Sequence, residues 1–142
     1  MKISTKGIYA LEIMVDLALC EEDNDGQCLE KIKNIAARRE LSEKYLERII
    51  SLLKKAGLVA SVRGAYGGYF LARSADQISV LDVLCAVEGD LAPVQCLINP
   101  EECGLVGGVC PTKGTWSDVW ELIKDTVRET TIADIKKLTL VI

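Results

Sequence analysis

The chain has 142 residues, which is enough for one modest domain with an appended element. Hydrophobic residues make up 49% of it and aromatic residues 5%, which favours an ordinary helix-rich protein. The longest apolar stretch, residues 8–20, is interrupted by Glu12 and Asp16, so it can neither span a membrane nor form a signal-peptide core. We therefore expect a cytoplasmic protein without a membrane partner, whose six cysteines indicate metal binding or redox chemistry rather than structural disulfides.

The net charge of −4 is unevenly distributed along the chain. Residues 31–73 carry ten basic side chains and three acidic ones, a local charge of +7, whereas residues 1–30 carry −5 and residues 74–142 carry −6. A basic segment between acidic flanks is typical of a DNA-binding module. On charge alone, a solvated helical surface explains the pattern equally well.

Apolar residues recur at helical spacing in four segments of the first part of the chain. The predicted helices cover residues 4–21, 29–38, 43–56 and about 80–88. Ser42 and Ser79 stand at N-cap positions, Asp82 is placed to complete a capping box with Ser79, and Gly57 stands where a left-handed C-cap belongs.

A hairpin is predicted after the third helix. Two short strands, residues 58–62 and 69–71, flank a turn in which three of six residues are glycine and Arg63 comes first. The order of short helix, turn, second helix and glycine-rich hairpin is that of a winged helix-turn-helix. We predict a mainly α fold with a small β-hairpin wing.

The C-terminal part consists of a loop and a long helix. Residues 89–114 hold all three prolines, five glycines and three cysteines without periodicity, which is typical of a functional or disordered loop. A helix resumes at Thr115, and Thr131 caps a final turn that extends to about residue 138. One stripe of this helix is apolar: Trp116, Val119, Trp120, Ile123 and Val127. We interpret the stripe as the seam of a homodimer; packing within the chain is the alternative.

The second helix of a helix-turn-helix lies in the major groove, where its exposed side chains meet base edges. Arg48 is suited to pair with guanine and Glu47 to accept from the amine of cytosine, while Ser42 and Tyr45 suit phosphates. Arg63 on the thin hairpin is placed to enter a narrow minor groove.

Four motifs in order resemble the Rrf2 family of bacterial regulators. They are Met-Lys-Ile-Ser-Thr-Lys-Gly-x-Tyr-Ala at the N-terminus, Leu41-Ser42-x-x-Tyr45-Leu46-Glu47, Lys55-x-Gly57-Leu58-Val59 and Ser61-Val62-Arg63-Gly64-x-x-Gly67-Gly68-Tyr69. The similarity covers nearly the whole chain and is closest to the IscR-type branch, which controls iron–sulfur cluster assembly.

This resemblance implies a winged-helix homodimer, joined through a long C-terminal helix, that binds roughly palindromic operators in double-stranded DNA. It also implies that Ser42, Tyr45, Glu47 and Arg48 face the major groove and that Arg63 enters the minor groove. Two further residues of these motifs complete the predicted DNA-binding set: Lys6 and Gly64.

The three loop cysteines, Cys96, Cys103 and Cys110, are spaced seven residues apart. This spacing differs from the CxxC pairs of zinc ribbons and of thioredoxin-like sites. Three thiolates on one loop suit an iron–sulfur cluster, zinc or copper(I). The cysteines outside the loop, Cys20, Cys28 and Cys85, are expected to be small buried hydrophobic residues.

The family resemblance implies that the loop cysteines hold an iron–sulfur cluster, which we expect to be 2Fe–2S rather than 4Fe–4S. In the IscR-type branch a histidine follows the third cysteine by three positions; here that position is Lys113, and the chain has no histidine. A protonated lysine is a poor metal ligand. Glu12, supplied from the first helix of the partner subunit, is the first candidate for the fourth ligand, with Asp16, Cys85, a small thiol or water as alternatives.

We therefore predict a DNA-binding transcriptional regulator, a repressor of iron–sulfur cluster biogenesis genes, that responds to cluster status. Its predicted parts are a DNA-binding domain (residues 1–75), a connecting helix with the cysteine loop (76–114) and a dimerisation helix with a tail (115–142). Alternatives are the same dimer with a thiol-redox or zinc switch, and a regulator that acts through an enzyme partner. An enzyme is not expected, because the chain lacks histidine, a nucleophile–base pair and a phosphate-binding glycine loop.

Overall fold

The computed structural model describes residues 2–25, 28–99 and 110–141. In these ranges the chain forms mainly helices and one antiparallel hairpin, which confirms the predicted fold class. The helices are α1 (Thr5–Asp23), α2 (Ile32–Arg39), α3 (Glu43–Lys55), α4 (Val80–Glu88), α5 (Lys113–Glu129) and α6 (Ile132–Val141), and the strands are β1 (Val59–Val62) and β2 (Gly68–Leu71). We call β1, β2 and the turn between them the wing.

One apolar core holds α1, α3, α4 and α6 together. The side chains that are fully enclosed in it come from every one of these helices and from α2, so the core joins distant parts of the chain. They include Ile13, Met14, Leu17, Ile35, Leu46, Ile49, Leu53, Val83 and Ile132. Burial of each large apolar side chain stabilises the fold by roughly 1.5–3 kcal/mol. The shared core therefore holds α2 and α3 in fixed positions relative to the other helices.

Side-chain caps begin several helices. The hydroxyl of Ser42 accepts a hydrogen bond from the backbone amide of Tyr45 at 3.1 Å, which confirms the predicted N-cap of α3. Ser79 and Asp82 form the predicted capping box of α4. Gly57, just after α3, has a φ of 78°, so the left-handed residue predicted there is confirmed.

The segment before α2 differs from the prediction. We expected a helix from residue 29, but α2 begins at Ile32 and Glu30 instead pairs with Tyr69 of β2. The amide of Glu30 donates to the Tyr69 carbonyl at 2.9 Å, and the amide of Tyr69 donates to the Glu30 carbonyl at 2.7 Å. The backbone amide and carbonyl of Glu30 thus find their hydrogen-bond partners in β2 instead of in a helix. The two bonds attach the wing to the start of the helix-turn-helix.

Backbone contact at this junction is close. A Cβ atom on Gly68 would lie 2.7 Å from the carbonyl carbon of Leu29 and 2.8 Å from the carbonyl oxygen of Glu30. Only a residue without a side chain fits there. Gly68 therefore allows the wing to lie against the segment that precedes α2.

The two C-terminal helices are placed differently from each other. None of the residues of α5 is buried, whereas Ile132 at the start of α6 is fully enclosed in the core. The Val80 amide donates to the Thr130 carbonyl, and the Ile132 amide donates to the Ile78 carbonyl, each at 2.9 Å. The chain thus leaves the body along α5 and returns to it in α6, which is longer than the predicted final turn.

Candidate DNA interface and cysteine segment

The sequence of α3 separates an inner face from an outer one. Leu46, Ile49 and Leu53 are fully enclosed, while Ser42, Glu47 and Arg48 are exposed. This helix therefore presents to solvent the polar residues that the sequence predicted for the major groove.

The helical pattern predicted an outward-facing Tyr45, but the side chain is only partly exposed. Its ring is half-buried and packs edge-on against Tyr9 of α1, with ring centroids 6.2 Å apart. The phenol is therefore anchored to α1, and this orients the exposed part of the side chain.

Lys6 lies beside the outer face of α3. Together with Tyr45, Glu47 and Arg48 it lines an open groove of about 690 Å³. The structure thus brings together four of the seven residues that the sequence predicted for DNA binding, although Lys6 lies in α1 and the others in α3.

Of the three remaining predicted contacts, Ser42 caps the start of α3, and Arg63 and Gly64 line a second cleft of about 490 Å³ between the wing and the helix-turn-helix. Two lysines that the sequence analysis did not single out also line it. The ammonium of Lys31 donates to the carbonyl of Ala65 at 2.9 Å, and that of Lys54 donates to the hydroxyl of Ser61 at 2.6 Å. The local charge of residues 31–73 was the signal for them, but only the fold shows which of the ten basic residues face the wing.

An ion-pair network joins α1 to α2. The guanidinium of Arg39 donates to both carboxylate oxygens of Asp16, at 2.7 and 3.1 Å, and lies 3.5 Å from the carboxylate of Glu12. The hydrogen bond with Asp16 raises the pKa of Arg39 further above its ordinary value. Arg38 meets the buried carboxylate of Glu30 at 3.1 Å, and Asn34 donates to the same group. Periodicity alone gave no sign of this network, because its partners are far apart in sequence.

Glu12, the candidate fourth cluster ligand, is therefore already paired with a cation within the chain. It lines an apolar groove of about 420 Å³ between α1 and α6, together with Ile8, Leu11, Ile135 and other residues. Its side chain is 38% exposed, so it remains accessible from outside the chain.

Two of the three loop cysteines can be placed. Cys96 and Cys110 are free thiols and partly accessible, whereas Cys103 lies outside the described residues. A hydrogen bond with the hydroxyl of Thr112 and another with its backbone lower the pKa of Cys110. Within residues 2–25, 28–99 and 110–141, no three His, Cys, Asp or Glu side chains are grouped closely enough to hold a metal ion.

The prediction for the remaining cysteines is wrong in two respects. Cys20 and Cys28 are joined in a disulfide, with Cα atoms 5.4 Å apart, because the chain turns back after α1 and brings them together. Cys85 is exposed rather than buried, because it lies on the outer side of α4. Only Cys28 has the expected burial, being 4% exposed.

The apolar stripe of α5 is divided between two environments. Trp120 and Val127 pack against Val80, Leu84 and Leu91 of the same chain, as the alternative interpretation of the stripe had it. Three further apolar residues remain open to solvent: Trp116, 40% exposed, Val119, 38% exposed, and Leu122, 70% exposed. The helix therefore keeps an exposed apolar row next to the row that faces its own body.

A helix-turn-helix followed by a wing, with basic side chains on both, defines a winged-helix DNA-binding regulator. The family model described as "Rrf2: Iron-dependent Transcriptional regulator" matches residues 3–137. The chain belongs to the Rrf2 family of transcriptional regulators, which confirms the predicted membership and the prediction that it is not an enzyme. Among the described residues, no helix is long and apolar enough to cross a membrane.

Relatives within the family extend over almost all of the chain. It is 38% identical to the HTH-type transcriptional regulator CymR of Bacillus subtilis strain 168 over 139 residues, which are 98% of this chain and 92% of that protein. It is also 38% identical to the regulator IscR of Erwinia tasmaniensis, over 95% of this chain and 78% of that protein.

Comparison with solved structures also identifies CymR as a relative. The solved structure of CymR, described as the global cysteine regulator of B. subtilis, matches with a TM-score of 0.80 at 36% identity, covering 97% of this chain and 98% of that one. The chain is thus similar both to CymR, a global cysteine regulator, and to IscR.

Proposed function

We propose that the chain acts as a homodimeric repressor that inserts α3 into the major groove of a roughly palindromic operator and the wing into the adjacent minor groove. The observation that carries this proposal is the set of cations around α3 and the wing: Lys6, Lys31, Arg48, Lys54 and Arg63. They lie in α1, at the N-cap of α2, in α3 and in the turn of the wing, and the fold places them around two clefts. A chain whose net charge is −4 thereby presents a basic surface to DNA.

Each side chain has a role in this proposal. Arg48 pairs in bidentate fashion with guanine, and Glu47 accepts from a cytosine amine. Ser42, Tyr45 and Lys6 contact phosphates and so position α3. Arg63 enters the minor groove, and Gly64 leaves room for the backbone of the turn to approach the DNA.

Selection of bound duplexes from a randomised pool tests this function and supplies the operator. Arg48→Ala should weaken binding to the selected duplex by roughly 1–3 kcal/mol and relax the preference at one base position. Lys54→Ala should weaken binding to all sequences alike and reduce the salt dependence of the affinity. Lys137→Ala, at an exposed position of α6, is the matched control and should bind as the wild type does. Failure to select any duplex would refute DNA recognition.

We propose that the chain has three functional parts: a DNA-binding domain (residues 1–75), a connecting helix with the cysteine loop (76–114) and a dimerisation element (115–142). The exposed apolar row of α5 is the surface we assign to the partner subunit. A second copy is the expected occupant, because palindromic operators require two-fold symmetry.

The donor set of the loop suits an iron–sulfur cluster. Cys96 and Cys110 are unpaired thiols within the described residues, and Cys103 adds a third soft sulfur donor from outside them. We propose that these three cysteines hold a cluster, 2Fe–2S rather than 4Fe–4S, and that Glu12 of the partner subunit completes the ligand set. When bound, the cluster would supply redox chemistry and sensitivity to iron and oxygen. Ligation by Glu12 requires this carboxylate to leave Arg39, whose guanidinium then keeps Asp16 as its partner.

A second candidate signal is the supply of cysteine, which the likeness to CymR favours. In this case the regulator binds the same operator class but needs no cluster, and a thiol switch, zinc or an enzyme partner conveys the signal.

Anaerobic reconstitution with iron and sulfide separates the two signals. If the cluster is the sensor, wild type and Cys85→Ser should both gain visible absorbance and acid-labile sulfide, and Cys103→Ser should not. Glu12→Ala should form a less stable cluster, whereas Lys113→Ala should leave the cluster unchanged. Absence of iron and sulfide from the wild type would refute the cluster and leave the cysteine signal.

A further inference from the structure

We propose that Cys20 and Cys28 form a reversible dithiol–disulfide site that uncharged hydroperoxides oxidise, and that the bridged form holds the wing in the position for DNA binding. The coupling to DNA rests on the proposed function, whereas the thiol chemistry does not. This pair is separate from the loop that carries Cys96, Cys103 and Cys110.

The fold brings the two sulfurs together from different elements. Cys20 lies in the last turns of α1, and Cys28 lies in the extended segment that leads to Glu30. Their Cα atoms are 5.4 Å apart, within the range that a disulfide requires, and the bond is present in the structure.

Oxidants can reach one of the two sulfurs. Cys20 is partly exposed and lines an open cavity of about 330 Å³, whereas Cys28 is only 4% exposed. The side-chain amide of Asn24 points to the Cys20 sulfur at 3.8 Å and to its backbone carbonyl at 2.8 Å. The Cys20 sulfur is therefore the one that an oxidant can reach. The Cys28 sulfur is buried and reacts in the second step.

The charges around the cavity restrict the class of oxidant. Three carboxylates line it, and one guanidinium is present: Asp16, Asp23, Glu30 and Arg38. Arg38 pairs with Glu30 at 3.1 Å, and Arg39 pairs with Asp16 at 2.7 Å. Within each pair the charges neutralise each other, so the carboxylate of Asp23 gives the site its net negative charge, and among the described residues that line it no cation is left for an anion. An uncharged molecule such as hydrogen peroxide or a small alkyl hydroperoxide enters such a site without repulsion, whereas anionic disulfides and peroxynitrite are repelled.

The reaction consumes one hydroperoxide for each bridge. The Cys20 thiolate attacks the peroxide oxygen, the O–O bond breaks, and a sulfenic acid forms while hydroxide or an alkoxide leaves and takes up the proton that the Cys20 thiol released. The Cys28 thiolate then attacks the sulfenic sulfur, the S–S bond forms and hydroxide leaves, which becomes water with the proton that the thiol released. Two electrons pass from the two thiols to the peroxide, and a dithiol reductant reverses the change by exchange.

The bridge is connected to the wing through Glu30. This residue lies two positions after Cys28, and its backbone forms the pair of hydrogen bonds to Tyr69 of β2 at 2.7 and 2.9 Å. Its carboxylate receives Asn34 and Arg38 of α2. The disulfide therefore anchors to α1 the same segment that holds both the wing and the first helix of the helix-turn-helix. Reduction frees this anchor and leaves the segment held by hydrogen bonds alone.

Oxidation of the full-length protein tests the chemistry. The protein is reduced with dithiothreitol, freed of reductant without oxygen, treated with one equivalent of hydrogen peroxide and then alkylated and mapped by mass spectrometry. Wild type and Cys85→Ser should both yield a linked peptide of Cys20 and Cys28. The bridge should raise the melting temperature by roughly 5 °C relative to the reduced form. Full alkylation of both cysteines after peroxide, or links only to other cysteines, would overturn the site.

Affinity for the selected duplex tests the coupling. The oxidised wild type should bind roughly fivefold more tightly than the reduced wild type, and Cys85→Ser should show the same difference. Cys20→Ser and Cys28→Ser should both bind as the reduced wild type does, before and after peroxide. Equal affinity of the oxidised and reduced wild type would overturn the coupling. No binding in either state would instead count against DNA recognition, while the peptide map decides the disulfide independently.

Discussion

The helical body and α5 differ in how far their apolar side chains are buried within the chain. In the body, Leu46, Ile49 and Leu53 of α3 are enclosed, and the polar face of that helix is left for recognition. In α5 no residue is buried, and Trp116, Val119 and Leu122 face solvent. A helix that completes its packing within the chain can present charge to a ligand. A helix that does not complete its packing leaves an apolar surface for another molecule, and we propose that a second copy of the chain covers it here.

The largest effect is expected in the body. Leu53→Ala removes a fully enclosed side chain, and the cavity it leaves should lower the free energy of unfolding by roughly 2–5 kcal/mol. Urea denaturation measures this loss. Leu122→Ala is the matched change on α5 and, in protein diluted until it is monomeric, should cost far less. Similar losses in both variants would show that α5 is part of the body's core.

The next effect concerns association. Leu122→Glu places a charge on the exposed row of α5, and the dimer dissociation constant should rise about tenfold or more, because an unpaired charge is then buried against the partner. Sedimentation at several concentrations measures the constant. Asp118→Ala alters an exposed polar residue of the same helix and should leave the dimer intact. An unchanged mass for Leu122→Glu would move the interface elsewhere.

The smallest effect is expected where α6 returns to the body. The amide and hydroxyl of Thr131 bond with Asp134 and hold the pKa of its carboxyl below the ordinary value. A carboxyl whose pKa falls on folding stabilises the fold above its unfolded pKa, and this stabilisation is lost as pH falls through the folded pKa. The wild type should therefore be slightly more stable than Asp134→Asn at neutral pH. The difference in melting temperature should begin to shrink as the pH falls below about 4 and should vanish once the pH is below the folded pKa of Asp134. A difference that persists in acid would assign it to helix propensity instead.

Local patterns predicted the elements that local forces determine. The N-caps at Ser42 and Ser79, the left-handed residue at Gly57 and the enclosed face of α3 all follow from spacing and residue type. Family motifs added the DNA-binding set, and the structure brings most of its members to two clefts.

Features that depend on contacts across the chain were not predictable in this way. The pairing of Glu30 with Tyr69, the disulfide of Cys20 with Cys28 and the ion pair of Asp16 with Arg39 join residues from different elements. Each replaces an interpretation drawn from the sequence: a helix turn at Glu30, buried thiols at Cys20 and Cys28, and an alternative cluster ligand at Asp16. The two faces of α5 could not be separated for the same reason, because periodicity identifies a stripe but not what covers it.

The close approach of Gly68 to Leu29 and Glu30 has a consequence for how such regulators can diversify. At the tip of the wing, Ala65 is exposed and Tyr66 is 94% exposed, so substitutions and short insertions there disturb no packing. At Gly68 any side chain collides with main chain, and the wing would be displaced as a whole. We expect evolution to explore new operator preferences at the tip while the base of the hairpin stays unchanged.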